Sequence, residues 1–191
     1  NPDGTLSSST AVTTKAGQTI STSTSTYSMG LDGSDQLKQR TTVLGTGETT
    51  TEDFNYNADG TLKESTAVTT KGGQTISTSV SNYTMAADGR DQINSRVTTL
   101  GTGEQTTEAF VYNTNGTLKS STATTVKAGL TVSTSVSNYT MAADGRDQIS
   151  SRTTTLGTGE KTVEAFSYKP DGTLNTSTTN TTKQRVAISA T

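Results

Sequence analysis

The chain has no cysteine, no histidine and no tryptophan among its 191 residues, and only 2 prolines. Without cysteine there are no disulfides and no thiolate metal sites. Without histidine the commonest general base and the commonest transition-metal ligand are both missing. No apolar run approaches the roughly 18 residues of a membrane-spanning helix. The 15 basic residues are scattered and offset by 17 acidic ones, for a net charge of −2, which argues against nucleic acid or an anionic membrane as partner. Leu, Ile, Val and Phe number only 29, below the roughly 20 % of a chain at which high net charge brings disorder. Here the charge is low, so an ordered protein with a thin core is expected.

What the chain does have is threonine and serine, set in a repeat of 56 residues. Gly4, Gly60, Gly116 and Gly172 recur at that spacing, as do Gly33, Gly89 and Gly145. The run from Asn82 to Ile93 returns unchanged from Asn138 to Ile149. A period of this length marks supersecondary units that bury their apolar faces on neighbours. Residues 1–56, 57–112 and 113–168 form three copies, and 169–191 a partial fourth. The chain opens on a turn, Asn1-Pro2-Asp3-Gly4, as expected of a piece of a longer array.

Within each copy, stretches of Thr, Val, Ile, Tyr and Phe alternate with turn signals, as in Asn57-Ala58-Asp59-Gly60, Lys71-Gly72-Gly73, Ala86-Ala87-Asp88-Gly89 and Gly101-Thr102-Gly103. Short, equal connections predict sequential antiparallel hairpins. The fold expected is all-β, an elongated or spiralling array of tandem hairpins.

The turns predict registers. A type I turn closed by a left-handed Gly60 pairs Asn57 with Thr61 and Tyr56 with Leu62, and likewise Tyr112 with Leu118 and Tyr168 with Leu174. The Asp88-Gly89 turn pairs Tyr83 with Ile93 and Met85 with Asp91. A similar turn at Lys127-Ala128-Gly129 pairs Val126 with Leu130 and places Leu118, Val132 and Val136 on one face. A two-residue loop at Thr102-Gly103 places Ile93, Val97, Phe110 and Tyr112 together. Val80 and Tyr83 differ by an odd number, which predicts a bulge near Ser81-Asn82 and Ser137-Asn138, or else exposure of one of the two side chains. One sparsely apolar face then needs cover from curling, a second sheet or another chain.

The segment from Phe54 to Thr66, with Tyr56, Gly60, Leu62 and Thr66 in order, resembles the YD repeat of Rhs-type proteins. Phe110 to Thr122 and Phe166 to Thr178 share the pattern, with Asn57, Asn113 and Lys169 where that family has Asp. The resemblance implies coiled hairpins on an extracellular protein, or a shell segment around a toxin domain.

Candidate sites are sparse. Glu52-Asp53, Glu108 and Glu164 offer carboxylates, but a glycosidase pair repeated in every copy would mean several equal active sites. Asp88 and Asp91, with Asp144 and Asp147, are calcium candidates, although calcium wants 6–8 oxygens and the plainer role of Asp beside Gly is the turn itself. Thr22, Thr24 and Thr26 form a hydroxyl row of the kind that faces ice, and Tyr27, Tyr83 and Tyr139 could stack on sugars. Sequons stand at Asn82, Asn115, Asn138, Asn175 and Asn180. The last copy departs from the pattern at Lys183-Gln184-Arg185 and Val186-Ala187-Ile188-Ser189, as a cap or as strands given to another chain. No cofactor is expected. The function expected is structural and non-enzymatic: a surface fibre protomer or adhesin stalk, self-associating head to tail or laterally, on the cell surface or outside it. A carbohydrate- or ice-binding module and a Rhs-type shell are the alternatives.

Overall fold

The computed structural model describes residues 4–31 and 33–183. The chain divides into two compact units, Asn1–Gly103 and Glu104–Thr191. The first holds β1 (Ser8–Lys15), β2 (Gln18–Met29), β3 (Asp35–Leu44), β4 (Glu48–Tyr56), β5 (Leu62–Lys71), β6 (Gln74–Met85) and β7 (Asp91–Leu100). The second holds β8 (Glu104–Tyr112), β9 (Leu118–Lys127), β10 (Leu130–Met141), β11 (Asp147–Leu156), β12 (Glu160–Tyr168) and β13 (Leu174–Lys183). In each unit the strands are antiparallel and lie in sequence order. Among the described residues there is no helix, and hence none able to cross a membrane.

Two kinds of turn behave as their residues dictate. Asn57 N–H donates to Thr61 O at 2.9 Å and Gly60 N–H to Asn57 O at 3.1 Å, with Gly60 at φ 86°. Tyr56 pairs with Leu62, Tyr112 with Leu118 and Tyr168 with Leu174. After the Asp88-Gly89 turn, Tyr83 pairs with Ile93 and Met85 with Asp91.

Two turns correct the expected registers. Lys127 pairs with Leu130, so the loop is the two residues Ala128-Gly129. Both have positive φ, 49° and 77°, the type I′ geometry that matches strand twist. The three-residue loop with Val126 opposite Leu130 is therefore wrong. The other turn errs the opposite way: Gly103 N–H donates to Leu100 O at 2.9 Å, and the equivalent pairs Val43–Thr49 and Thr155–Lys161 count three loop residues, not two.

Ala128 and Ala16 sit at φ 49° where copy 2 has Gly72. A left-handed Ala carries a Cβ–carbonyl clash that Asn relieves by local hydrogen bonding. Ala128→Asn is expected to raise stability by about 1 kcal/mol, read as a higher denaturation midpoint.

Bulges decide the faces. Opposite Asn82–Ser95 and Tyr83–Ile93, Asn94 is the extra residue, and Ser150 and Lys38 repeat it. The bulge falls at the expected level but its extra residue lies on the partner strand. Parity from Val80 to Tyr83 is thus kept. Tyr83 joins Ile93 on one face, while Val80 pairs with Val97 on the other. Val97 therefore does not share a face with Ile93. Further bulges at Lys119 and Val132 separate Leu118, which pairs with Tyr112, from Val136, which pairs with Thr122.

A tyrosine face and a threonine face result. In the first unit the tyrosine face carries Tyr27, Leu37, Arg40, Glu52, Phe54 and Tyr56, with Ser and Thr between. Hydroxyls bridge neighbouring strands there: Ser23 to Thr42 at 3.1 Å, Thr50 to Thr69 at 3.0 Å and Ser79 to Thr98 at 3.0 Å. No hydrophobic residue is buried among those described; only Ser81 and Ser137 are. Ladders and cross-strand pairs, each contributing roughly 0.2–1 kcal/mol, take the place of a packed core.

Candidate functional site

The chemistry-bearing residues gather at the sheet end that holds the loops after β2, β4 and β6. Antiparallel strands of equal length bring these loops side by side, and their polar side chains bind one another's backbone. Asp91 Oδ1 accepts the Leu62 N–H at 3.1 Å, and Asp35 and Asp147 do the same for Leu6 and Leu118 at 3.1 Å. Gln36 Nε2 donates to Gly60 O at 3.5 Å, and Gln148 to Gly172 O at 3.1 Å. Each contact ties the start of one strand to the start of the next-but-one strand, or to the loop before it, across an intervening strand.

The calcium candidates are thereby occupied. Asp88 is held by Arg90, Oδ2 lying 2.6 Å from Nη2, and Asp144 by Arg146 at 2.5 Å. Those hydrogen bonds hold the Asp88 and Asp144 carboxyls below the usual range and raise the two guanidiniums. Asp91 and Asp147 point to backbone N–H groups instead. Among the described residues no cluster of three or more acidic side chains is placed to hold a metal.

The carboxylates of β4 do not converge either. Glu52 and Asp53 are adjacent on a strand and so face opposite ways. Glu52 meets Arg40 at 2.7 Å, and Asp53 accepts from Gln39 Nε2 at 2.8 Å. Glu164 meets Arg152 at 2.6 Å, which lowers its carboxyl. Arg40 also lies 6.0 Å from the Phe54 ring centroid.

The tyrosine hydroxyls are used internally. Tyr27, Tyr83 and Tyr139 each lie 3.2 Å from the Oγ of Ser9, Ser65 or Ser121. The ladder between β3 and β4 stops at Gln39–Asp53, and Tyr56 donates to the Leu37 carbonyl beyond that end at 3.0 Å. Burial raises the Tyr56 hydroxyl's pKa, with help from the Asp91 charge. Tyr168 makes the same contact with Ile149 O at 2.9 Å.

A groove of 620 Å³ in the second unit is lined by Met141, Asp144, Gln148, Tyr168, Lys169 and Asp171. Its carboxylates are already engaged, Asp144 by Arg146 and Asp171 by Thr173. Of the sequons, Asn82 and Asn138 donate to Ser95 and Ser151, and Asn115 accepts from Thr117 within its loop. The departures expected past Lys183, in Gln184-Arg185 and Val186 to Ser189, lie outside the described residues.

Sequence reasoning missed the Asp91–Leu62 and Gln148–Gly172 ties. Their signal is the invariant step from the second turn to Asp-Gln in copies 1, 2 and 3 (Asp35-Gln36, Asp91-Gln92, Asp147-Gln148).

No family model and no curated protein matches the chain. Among solved structures, a porin-like protein from Bacteroides uniformis is similar over 94 % of this chain and 90 % of its own, at 12 % identity and a TM-score of 0.40. A protein of unknown function from Bacteroides fragilis is similar over 78 % of this chain and 92 % of its own, at 10 % identity and a TM-score of 0.17.

Proposed function

We propose that the chain is a structural, non-catalytic repeat protein of the cell surface or extracellular space, a fibre protomer or adhesin stalk that extends by adding strands at its sheet edges. The carrying observation is the chemistry of those edges. Among the described residues, β1 and β13 each pair with a single strand. Both occupy the same position in the repeat as β5 and β9. The inner copies carry Lys63 and Glu64 in β5 and Lys119 in β9, where β13 has Asn175 and Thr176 and β1 begins at Ser8. Each outer strand holds one charge only, at its final Lys15 or Lys183. Exposed edges are normally defended by charges or proline inside the strand. Undefended edges favour pairing with a further strand through main-chain hydrogen bonds.

Electron microscopy of the purified chain at high concentration and physiological salt tests this. Fibres with a cross-strand repeat of about 4.8 Å are expected. Dispersed monomers throughout would overturn the fibre form of the reading.

A further inference from the structure

We infer that the threonine face of the first unit is a pairing surface for the same face of a second copy, so that two chains stack sheet on sheet. This association is lateral and independent of the edges.

Two transverse rows define the surface. One runs Val12–Thr22–Val43–Thr49–Thr70–Thr75 across β1 to β6. The next runs Thr10–Thr24–Thr41–Thr51–Val68–Thr78–Thr99 across β1 to β7. Every position in both rows is Thr or Val. A third row, Ser8–Thr26–Gln39–Asp53–Thr66–Val80–Val97, contains one charge, on Asp53, whose carboxylate already accepts from Gln39.

The opposite face is built differently. Its charges are matched across strands, Arg40 with Glu52 mid-strand and Lys71 with Glu48 at the strand ends. Burying that face would strip water from four charged groups, at a desolvation cost that often exceeds the pairing gain. Burying the two threonine rows strips water from none. β-Branched side chains also lose little rotamer freedom when covered, and they stand up evenly from the pleat. Val12 and Val43 are 57 % and 44 % exposed as the chain stands.

The area suits a second copy. Seven strands at about 4.8 Å spacing and three rows about 6.8 Å apart give a footprint of about 680 Å², close to the roughly 800 Å² that each partner contributes to a standard interface. Two such sheets pack about 10 Å apart. The second unit lacks the equivalent surface, because Lys161 stands opposite Thr155 where the first unit has Thr49 opposite Val43.

Neighbouring residues give the test. Thr41 lies on the threonine face, and Thr42 on the tyrosine face. Sedimentation velocity of the full chain across a wide concentration range is expected to show a dimer. Thr41→Lys should weaken it by about a hundredfold, the scale of an unpaired charge placed inside an interface, whereas Thr42→Lys should leave it within about twofold. Should Thr41→Lys fail to fold by circular dichroism, Thr24→Lys, which is exposed on β2, replaces it. A wild-type chain that stays monomeric overturns the inference, as does equal weakening by the two variants. A monomer that restrains ice growth and loses this with Thr41→Lys would assign the face to ice and overturn it equally. Fibres that persist in Thr41→Lys as single ribbons would uphold lateral pairing separately from the edges.

Discussion

Gly101→Ala is expected to cost about 2–3 kcal/mol, at the upper end for a single exposed-loop substitution. The Gly101 N–H donates to Ile76 O at 2.9 Å, and a Cβ there would lie 2.8 Å from Thr75 O. Both neighbours are backbone, so no side chain can swing away. Ile76 is the extra residue of a bulge, since Thr75 pairs with Thr70 and Ser77 with Thr69. The β7–β8 loop therefore seats directly on a kinked neighbouring strand, which only a residue without Cβ permits. Copies 1 and 3 repeat the arrangement, with Gly45 over Thr19 O and Gly157 over Thr131 O. Gly103 is the control. It has φ 82° and open space around it, so Gly103→Asn, a residue that tolerates the left-handed region, should cost clearly less. Denaturant melts of both variants measure the difference; a loss for Gly101→Ala under about 1 kcal/mol, the mean for point mutants, would refute the seating argument.

Asp91→Ala is expected to lower stability by about 1–2 kcal/mol, the scale of a hydrogen bond to a charged group discounted for exposure. It removes the acceptor of Leu62 N–H at the first residue of β5, next to the loop whose register the Tyr56–Leu62 pair sets. The same carboxylate helps hold the Tyr56 hydroxyl above its ordinary value. Site-resolved titration should therefore show Tyr56 ionising at lower pH in both Asp91→Ala and Asp91→Asn. Asp91→Asn keeps an oxygen acceptor and should retain most of the stability. If the two variants lose stability equally, the tie between Asp91 and Leu62 is not what orders this loop.

The legible parts of the fold were those that local turn chemistry dictates. Asn57 to Thr61 contains everything its turn needs, so the Tyr56–Leu62 register could be read from five residues. The Lys127–Leu130 turn misled because Ala128 occupies a left-handed position that composition does not advertise; only Gly72 in the sister copy hints at it. The faces were harder still. A bulge on β6 between Val80 and Tyr83 would have put both on one face, whereas the bulge on β7 leaves them on opposite faces and parts Val97 from Ile93; the sequence around Asn94 carries no mark of the choice. The candidate site followed the same rule. Asp88 and its partner Arg90 are two residues apart, though from sequence Asp88 reads only as a turn residue and calcium candidate. Asp91 finds its partner 29 residues away, through a register that depends on two turns and a bulge.

Pairing in strict sequence order also governs how such a chain folds and how it changes over generations. Every ladder described in either unit joins a strand to the one just before or after it, so each closes a short loop and adds little entropic cost to the last. Folding of this kind proceeds by accretion, one hairpin templating the next, and its rate is insensitive to how many copies follow. Insertion or loss of a whole 56-residue copy by recombination leaves every surviving contact intact. Length is thus a free variable for this protein, adjustable in fixed steps without redesign of any residue.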